Sequence, residues 1–182
     1  MKASPKDIPT RFATNMLAAG EKMYAYSFDG YWKDVGTISS LWEANMDLLG
    51  SKPVLDLGDK KWRIYSRHSA EGPQFVGADA CVENSYITEG CEIYGTVKNC
   101  VVGAGVKVEA GAVVCDSVLM GDTVISKNAV VNYSIIDTGV CIGAGATVGA
   151  PKADGVEIAV IGEDVVIDAG AIVAAGAMVS EE

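Results

Sequence analysis

The residues of this chain that could do chemistry are few and lie ahead of its most regular part. Asp34 closes the run Tyr31-Trp32-Lys33-Asp34, which follows Asp29-Gly30, a signal for a two-residue hairpin turn. His68 is the single histidine, the side chain that most often serves as a general base, and it also precedes the regular part. From the residues alone, the carboxylate of Asp34 is more typical of an exposed acid on a hairpin than of a catalytic group.

The cysteines indicate a reducing environment. Their number is odd, no two have CxxC spacing, and no apolar segment follows the charged start of the chain as a secretory signal requires. We therefore expect reduced thiols that fill small buried positions in a cytoplasmic protein. The five residues are Cys81, Cys91, Cys100, Cys115 and Cys141.

Charge is spread unevenly along the chain. Residues 1–75 hold ten Lys/Arg and nine Asp/Glu, whereas residues 76–182 hold four Lys, no Arg and fifteen Asp/Glu, a net charge of −11. Nucleic acid and anionic lipid both require a basic surface, so we expect neither as a partner. Uncharged apolar stretches also fall short of the roughly 18 residues that a membrane span needs.

An aliphatic residue recurs every six positions over the last hundred residues. A six-residue unit gives one short strand and one tight turn, and three units close a triangular coil of about 18 residues on which the next coil stacks. A helix of 3.6 residues per turn cannot keep a period of six on one face. The repeat therefore predicts a mainly-β chain that ends in a parallel β-helix with the aliphatic residues pointing inward. The series are Val102, Val108, Val114; Leu119, Ile125, Val131; Ile136, Ile142, Val148; and Ile161, Ile167, Val173, Val179.

Two further features belong to the repeat. Four four-residue segments, or tetrads, are spaced by 15, 17 and 17 residues and predict one corner of successive coils, with Gly and Ala where the chain turns sharply. The tetrads start at Asn84, Asn99, Asp116 and Tyr133.

Residues 149–157 contain Pro151 and Gly155 and interrupt the stack. We therefore expect an excursion loop there, which is either a ligand or partner loop or a tolerated insertion.

The first fifty residues have a different pattern. They predict a helix over 8–23 interrupted near its end by Gly20, strands over 23–28 and 31–35, and a helix over 40–49. Ser40 and Glu43 fit a capping box for the second helix, and Gly50 fits its end.

These elements suggest three parts. Residues 1–50 contain α/β material that is too small for a whole α/β domain. Residues 51–75 are a linker with a short strand candidate over 62–65, and residues 76–182 are the β-helix. A fragment of one domain joined to a complete repeat suggests that the chain begins late in a larger protein.

The residues also resemble a known family. Several runs resemble the carboxyl-terminal portion of glucose-1-phosphate adenylyltransferase. They are Gly30-Tyr-Trp-Lys-Asp-Val-Gly-Thr37, Leu41-Trp-Glu-Ala-Asn-Met-Asp-Leu48, Trp62-Arg-Ile-Tyr-Ser66, and Gly90 to Gly103 with its continuation to about Ile142. Hexapeptide repeats occur in many acyltransferases, so the repeat is unspecific. The run from Gly30 to Thr37 is much more specific.

The resemblance implies both an activity and a fold. The family transfers an adenylyl group from ATP to glucose 1-phosphate, which gives pyrophosphate and the ADP-glucose used to make glycogen or starch. Its Rossmann-like catalytic domain is followed by a left-handed β-helix used for regulation and subunit contact. The family is tetrameric, so a homo-oligomer is expected. Residues 1–50 would then be the end of an incomplete nucleotidyltransferase domain.

The resemblance also assigns roles to individual residues. Asp34 matches the family's second metal-binding Asp, which helps to hold Mg²⁺ at the reacting phosphates. A carboxylate-held Mg²⁺ suits that chemistry, because it offsets the charge that builds on the phosphate oxygens. Trp32 and Tyr31 match aromatic residues that line the sugar-phosphate side of the site.

Departures from the family set limits on this interpretation. The glycine-rich nucleotide loop, the partner metal Asp and the Glu-Lys-Pro segment have no counterpart, so we expect the chain alone to be inactive. The family's anionic activators bind Arg and Lys near the β-helix, but only Lys98, Lys107, Lys127 and Lys152 are present after residue 75.

Two alternatives stay open. One is a non-catalytic subunit of the same family, although such relatives tend to lose the Asp at position 34. The other is a hexapeptide acyltransferase, which would use a His between coils, whereas His68 precedes the repeat.

Overall fold

A computed structural model describes residues 8–61, 64–65 and 70–180, with side chains from Arg11 onward. The chain divides into two units, residues 1–32 and residues 33–182. Within the described residues, every helix is too short or too polar to cross a membrane.

Among its described residues, 8–32, the first unit contains one helix, α1, over Ile8–Ala18. The helix predicted from Ile8 is therefore present but ends before Met23. Its end is set by Gly20, whose φ of +72° is a left-handed conformation that glycine adopts without steric cost, and whose N–H donates to the Leu17 carbonyl at 3.1 Å.

The two strands predicted over 23–28 and 31–35 are absent, so that prediction was wrong. The segment from Met23 to Phe28 alternates large and small residues as a strand does, yet Tyr24 is 92% exposed and Tyr26 is 90% exposed. A two-stranded hairpin is marginally stable in water without a third strand or a covering helix. Strand propensity alone therefore does not order this segment as a sheet.

The second unit opens with helix α2 over Ile38–Met46. Its N-cap is Thr37, whose hydroxyl accepts the N–H of Ser40 at 3.2 Å while the Ser40 hydroxyl accepts the N–H of Thr37 at 3.0 Å. The capping box predicted for Ser40 and Glu43 was therefore misplaced by one turn, because Ser40 is the returning member of the box. Gly50 has a φ of +94° but lies beyond the C-cap, Asp47.

The linker predicted over 51–75 contains turns and no strand before Phe75 among its described residues. Of the strand predicted over 62–65, residues 62 and 63 lie outside the described residues, and Ile64 and Tyr65 are in no strand. His68 also lies outside the described residues.

Eighteen short strands follow in the described part of the chain, numbered β1 to β18. Their bounds are Phe75–Val76, Cys81–Glu83, Tyr86–Ile87, Glu92–Ile93, Thr96–Lys98, Val101–Val102, Lys107–Val108, Val113–Cys115, Val118–Leu119, Val124–Ile125, Val130–Asn132, Ser134–Ile136, Cys141–Ile142, Thr147–Val148, Ala159–Ile161, Val166–Ile167, Ile172–Val173 and Met178–Val179.

The strands form three parallel sheets, each with one strand from every coil. The first sheet is β1-β4-β7-β10-β13-β16, the second is β2-β5-β8-β11-β14-β17 and the third is β3-β6-β9-β12-β15-β18. This is the parallel β-helix that the period of six predicts, with about six coils. The aliphatic series points inward, so that Val102, Leu119 and Ile136 stack in register and are fully buried. No coil buries its core face alone, so the stack supplies the core.

The corner predicted from the tetrads is also present. Each tetrad begins at a residue with positive φ: +42° at Asn84, +51° at Asn99, +50° at Asp116 and +42° at Tyr133. Asn and Asp tolerate the left-handed region because their short side chains bond locally, whereas a tyrosine there is strained.

The predicted excursion leaves between β14 and β15. Ser134 pairs with Ala159, 25 positions later, whereas Ile135 pairs with Val118, 17 positions earlier. The ladder continues in register on both sides, so the extra residues are absorbed at one corner without disturbing the sheets.

Candidate functional site

Asp34 lies in an exposed turn three residues ahead of the helix cap. Its Oδ1 accepts the N–H of Gly36 at 3.1 Å, an arrangement that fixes the carboxylate at the start of α2. Within residues 8–61, 64–65 and 70–180, no three His, Cys, Asp or Glu side chains are grouped closely enough to hold a metal ion. Mg²⁺ is commonly bound by one or two carboxylates together with substrate phosphates and water, and the metal role of Asp34 stays a prediction.

The aromatic residues predicted to line the substrate belong to the first unit. Trp32 is 77% exposed and Tyr31 is half-buried. An exposed indole is available to a ligand, but no ligand defines its role. The sugar-phosphate contacts of Trp32 and Tyr31 stay predictions.

Lys33 anchors the segment that carries Asp34. Its Nζ lies 2.9 Å from Oδ2 of Asp47 and 3.3 Å from Oε2 of Glu43. The hydrogen bond with Asp47 raises the pKa of Lys33, with a smaller contribution from Glu43, so the ammonium stays charged. Sequence reasoning missed this clamp, although Glu43 and Asp47 are four residues apart and hence share one face of a helix.

Helix α2 packs on the outside of the third sheet. Trp42 is only 6% exposed and clusters with Val118, Ile135 and Ile158. Its indole N–H donates to the Asp116 carbonyl at 2.7 Å, which ties the helix to a corner residue of the coil. The helix that follows Asp34 is therefore part of the same packed body as the β-helix.

The strained corner at Tyr133 is where this contact is made. The rings of Trp42 and Tyr133 meet edge to face, with centroids 5.0 Å apart and an interplanar angle of 87°. Lys152, on the excursion loop, places Nζ 4.4 Å from the centroid of the Trp42 ring, a cation–π contact. The excursion loop thus contacts the helix through Lys152, a contact that the sequence could not show.

A cavity of about 260 Å³ lies between the first turn of α2 and the end of the excursion loop. Ile38 and Ser39 line one side, and Glu157 and Met178 line the other. The cavity offers one carboxylate and no lysine or arginine, so its lining does not suit an anionic metabolite.

Most of the lysines in the β-helix have partners. Lys98 pairs with Glu83 at 3.2 Å, Lys107 pairs with Glu92 at 3.5 Å, and Lys152 lies over Trp42. These three ammonium groups are therefore already engaged by partners within the chain.

The five cysteines have free thiols, and the reducing compartment stays a prediction. Cys91 and Cys100 are buried, Cys115 and Cys141 are half-buried and Cys81 is exposed, so only two fill buried positions. Burial raises the pKa of the Cys100 thiol to about 12, which makes it inert at neutral pH.

Comparison with known proteins covers both parts of the chain. Residues 74–167 match a family described as GlmU-like, C-terminal hexapeptide, and residues 2–51 match the nucleotidyl transferase family. The hexapeptide match agrees with the left-handed β-helix that was predicted, and the second match agrees with a nucleotidyltransferase fragment ahead of it.

Several curated relatives of this chain share one name. Glucose-1-phosphate adenylyltransferase of Clostridium kluyveri is 50% identical over 118 residues, which are 65% of this chain and 31% of that protein. The enzymes of the same name from Bacillus mycoides and Bacillus cereus are 55% identical over 104 residues, 57% of this chain and 28% of theirs. The chain therefore spans less than a third of the length of the curated relatives it matches.

Proposed function

Since the chain belongs to the GlmU-like C-terminal hexapeptide family, we propose that it is the carboxyl-terminal regulatory and assembly part of a glucose-1-phosphate adenylyltransferase. The observation that carries this proposal is the identity of 50% over 118 residues with an enzyme of that name. The nucleotidyl transferase match over residues 2–51 supports it, because the same chain then holds the end of one domain and the start of the next.

In the complete enzyme, ATP and glucose 1-phosphate would react to give ADP-glucose and pyrophosphate. Mg²⁺ bound to Asp34 would offset charge on the reacting phosphates. The chain's own residues hold that carboxylate in place: Gly36 donates to it, and Lys33 ties its segment to Glu43 and Asp47. Trp32 and Tyr31 would contact the sugar phosphate.

The experiment is Asp34→Asn in the full-length parent enzyme, assayed for ADP-glucose across a range of Mg²⁺ concentrations. We expect kcat to fall by about 100-fold or more, the scale of losing one electrostatic contact to the transition state. Asp29→Asn, an acid in the same exposed segment, is the matched control and should leave kcat unchanged. An unchanged kcat for Asp34→Asn would refute the metal role.

A non-catalytic subunit of the same family is the second candidate. The hexapeptide match over residues 74–167 fits it equally well, because that match does not include Asp34. The retention of Asp34 favours the catalytic parent instead. A parent that assembles with an active subunit but makes no ADP-glucose, with or without Asp34→Asn, would identify the non-catalytic form.

We propose three further properties of this part of the enzyme. The 182-residue chain alone is inactive, and ADP-glucose formed by the pure chain with Mg²⁺ would contradict this. The parent is a homo-oligomer, a tetramer as in the family. It works in the cytoplasm, in keeping with five free thiols.

A further inference from the structure

The residue next to Asp34 in the chain carries a charge that opposes metal binding. Lys33 directly precedes Asp34. An ammonium group so close to a carboxylate could pair with it, and it would also repel a divalent cation that approaches the same carboxylate. The group that holds the Lys33 ammonium therefore bears directly on what the Asp34 carboxylate can bind.

Helix α2 holds the Lys33 ammonium. Its Nζ lies 2.9 Å from Oδ2 of Asp47 and 3.3 Å from Oε2 of Glu43. The side chains of Lys33 and Asp47 are 24% and 29% exposed, whereas the side chain of Glu43 is 56% exposed. Asp47 therefore provides the closer and better shielded of the two contacts.

The Asp34 carboxylate is left with one local contact. Its Oδ1 accepts the N–H of Gly36 at 3.1 Å. Within residues 33–61, 64–65 and 70–180, no other hydrogen bond and no cation reaches this carboxylate. A carboxylate with an oxygen to spare fits the donor set of Mg²⁺, which takes one or two carboxylates beside phosphates and water.

The position of Asp47 is unfavourable for an acid. Asp47 is the C-cap of α2, where the helix dipole is negative and an anionic side chain is disfavoured. Its backbone is fixed on both sides, since its N–H donates to the Glu43 carbonyl at 2.9 Å and its carbonyl accepts the N–H of Val54 at 3.1 Å. Helix stability therefore does not account for this carboxylate, whereas the contact with Lys33 does.

We propose that Asp47 is a positioning residue that holds the Lys33 ammonium away from Asp34, so that a divalent cation meets a carboxylate without a competing positive charge. This inference rests on the metal role proposed for Asp34 and adds a residue of α2 to it. The indole of Trp42 ties α2 to the Asp116 carbonyl at 2.7 Å. The body that includes the β-helix thereby fixes the charge beside the metal ligand.

The test is Mn²⁺ binding to the full-length parent enzyme, followed by the electron paramagnetic resonance of free Mn²⁺ at one fixed concentration of ADP-glucose. Asp47→Asn leaves the ammonium to Glu43 alone, which is more than half exposed and holds it weakly. A single and a double charge about 6 Å apart in water change binding by roughly tenfold, so we expect the Kd for Mn²⁺ to rise about threefold to tenfold. The Mg²⁺ concentration for half-maximal synthesis should rise in parallel.

Asp56→Asn is the matched control. Asp56 is an exposed acid whose carboxylate accepts the N–H of Gly58 at 2.8 Å within a turn, much as Asp34 accepts that of Gly36. The variant should leave the Kd for Mn²⁺ and the Mg²⁺ dependence unchanged.

The double variant Lys33→Met with Asp47→Asn separates positioning from a purely structural role. Methionine carries no charge, so nothing is left to compete for Asp34, and the Kd for Mn²⁺ should return to the wild-type value. A clamp that only stabilises the fold predicts the opposite, because the double variant lacks both partners. A double variant as weak as Asp47→Asn would overturn the proposal, and so would a wild-type Kd in Asp47→Asn.

Glu43→Gln carries the test if Asp47→Asn does not fold, which circular dichroism checks. Its side chain is more than half exposed, so the fold should be unaffected, and the Kd for Mn²⁺ should rise about twofold. An unchanged Kd in that case would overturn the proposal.

Asp34→Asn in the same assay separates this inference from the proposed function. If Asp34→Asn binds Mn²⁺ as the wild type does, the metal role of Asp34 fails and the positioning role fails with it. If Asp34→Asn weakens binding and Asp47→Asn does not, only the positioning role fails.

Discussion

The segment over 21–35 and the β-helix use similar residue types with opposite results. Tyr24 and Tyr26 alternate with smaller residues as in a strand, yet both are at least 90% exposed and neither is in a sheet. In the β-helix, two-residue strands as short as Val101–Val102 are ordered because each has a parallel neighbour above and below. The difference shows that a strand in this chain is stabilised by the neighbouring strands of the stack. Those neighbours supply hydrogen-bond partners for its backbone groups and bury its apolar side chains.

The largest effect expected from this comparison is the loss of core side chains. Ile136→Ala removes a fully buried side chain that stacks between Leu119 and Ile161, so the free energy of unfolding should fall by about 3 kcal/mol. Tyr26→Ala, in the exposed segment, should change it by less than about 0.5 kcal/mol. Urea denaturation followed by circular dichroism measures both. Equal effects would mean that the exposed segment packs as tightly as the coils.

A second prediction compares two tryptophans. Trp42→Phe removes the hydrogen bond to the Asp116 carbonyl and weakens the contact with Lys152, so the free energy of unfolding should fall by about 1–2 kcal/mol. Trp32→Phe, at a ring that is 77% exposed, should be nearly neutral. Denaturant midpoints at constant slope give the two values. A neutral Trp42→Phe would show that α2 is not held by that bond.

The smallest expected effect is a dependence on alkaline pH that arises from a buried thiol of the stacked region, where every cysteine lies. Burial raises the pKa of Cys100 from 9.0 to about 12. Below pH 9 the thiol is protonated in both states, and its contribution is complete. As pH rises through 9 toward 12, the unfolded chain loses a proton that the folded chain keeps, so stability falls.

Between pH 9 and 10 this loss should be about 1 kcal/mol for Cys100. Cys100→Ala lowers the overall stability by leaving a cavity but removes this thiol's share of the slope. Stability measured at intervals across that range separates the two effects. An identical slope in the variant would show that Cys100 ionises as readily folded as unfolded.

The β-helix could be predicted from the sequence because each coil of a solenoid repeats the same pattern of inward-pointing and corner residues. Val102, Leu119 and Ile136 follow from a period, and the corner at Asn99 and Asp116 follows from a spacing. Each such position contacts its equivalent one coil away, so the pattern of one coil determines the packing of the next.

The remainder depends on contacts that no local pattern contains. Trp42 donates to a residue 74 positions away and meets a lysine from the excursion loop, so its burial could not be inferred from α2 alone. The cap of α2 was misplaced because Thr37, Ser39 and Ser40 all have capping side chains. Asp34 was singled out through a resemblance alone, since its surroundings in the chain are those of an ordinary exposed acid, and its metal role stays a prediction.

The excursion loop also bears on what determines the length of the β-helix. Its extra residues leave at one corner and return to the same ladder, so the length of the β-helix depends on its number of coils and not on its number of residues. Residues can therefore be added to or removed from this loop without shifting the strand register beyond it, provided that Lys152 still contacts the indole of Trp42. The exposed turn at Asp154–Gly155 is accordingly a suitable site for inserting a peptide or attaching a label, at a defined position along the β-helix axis.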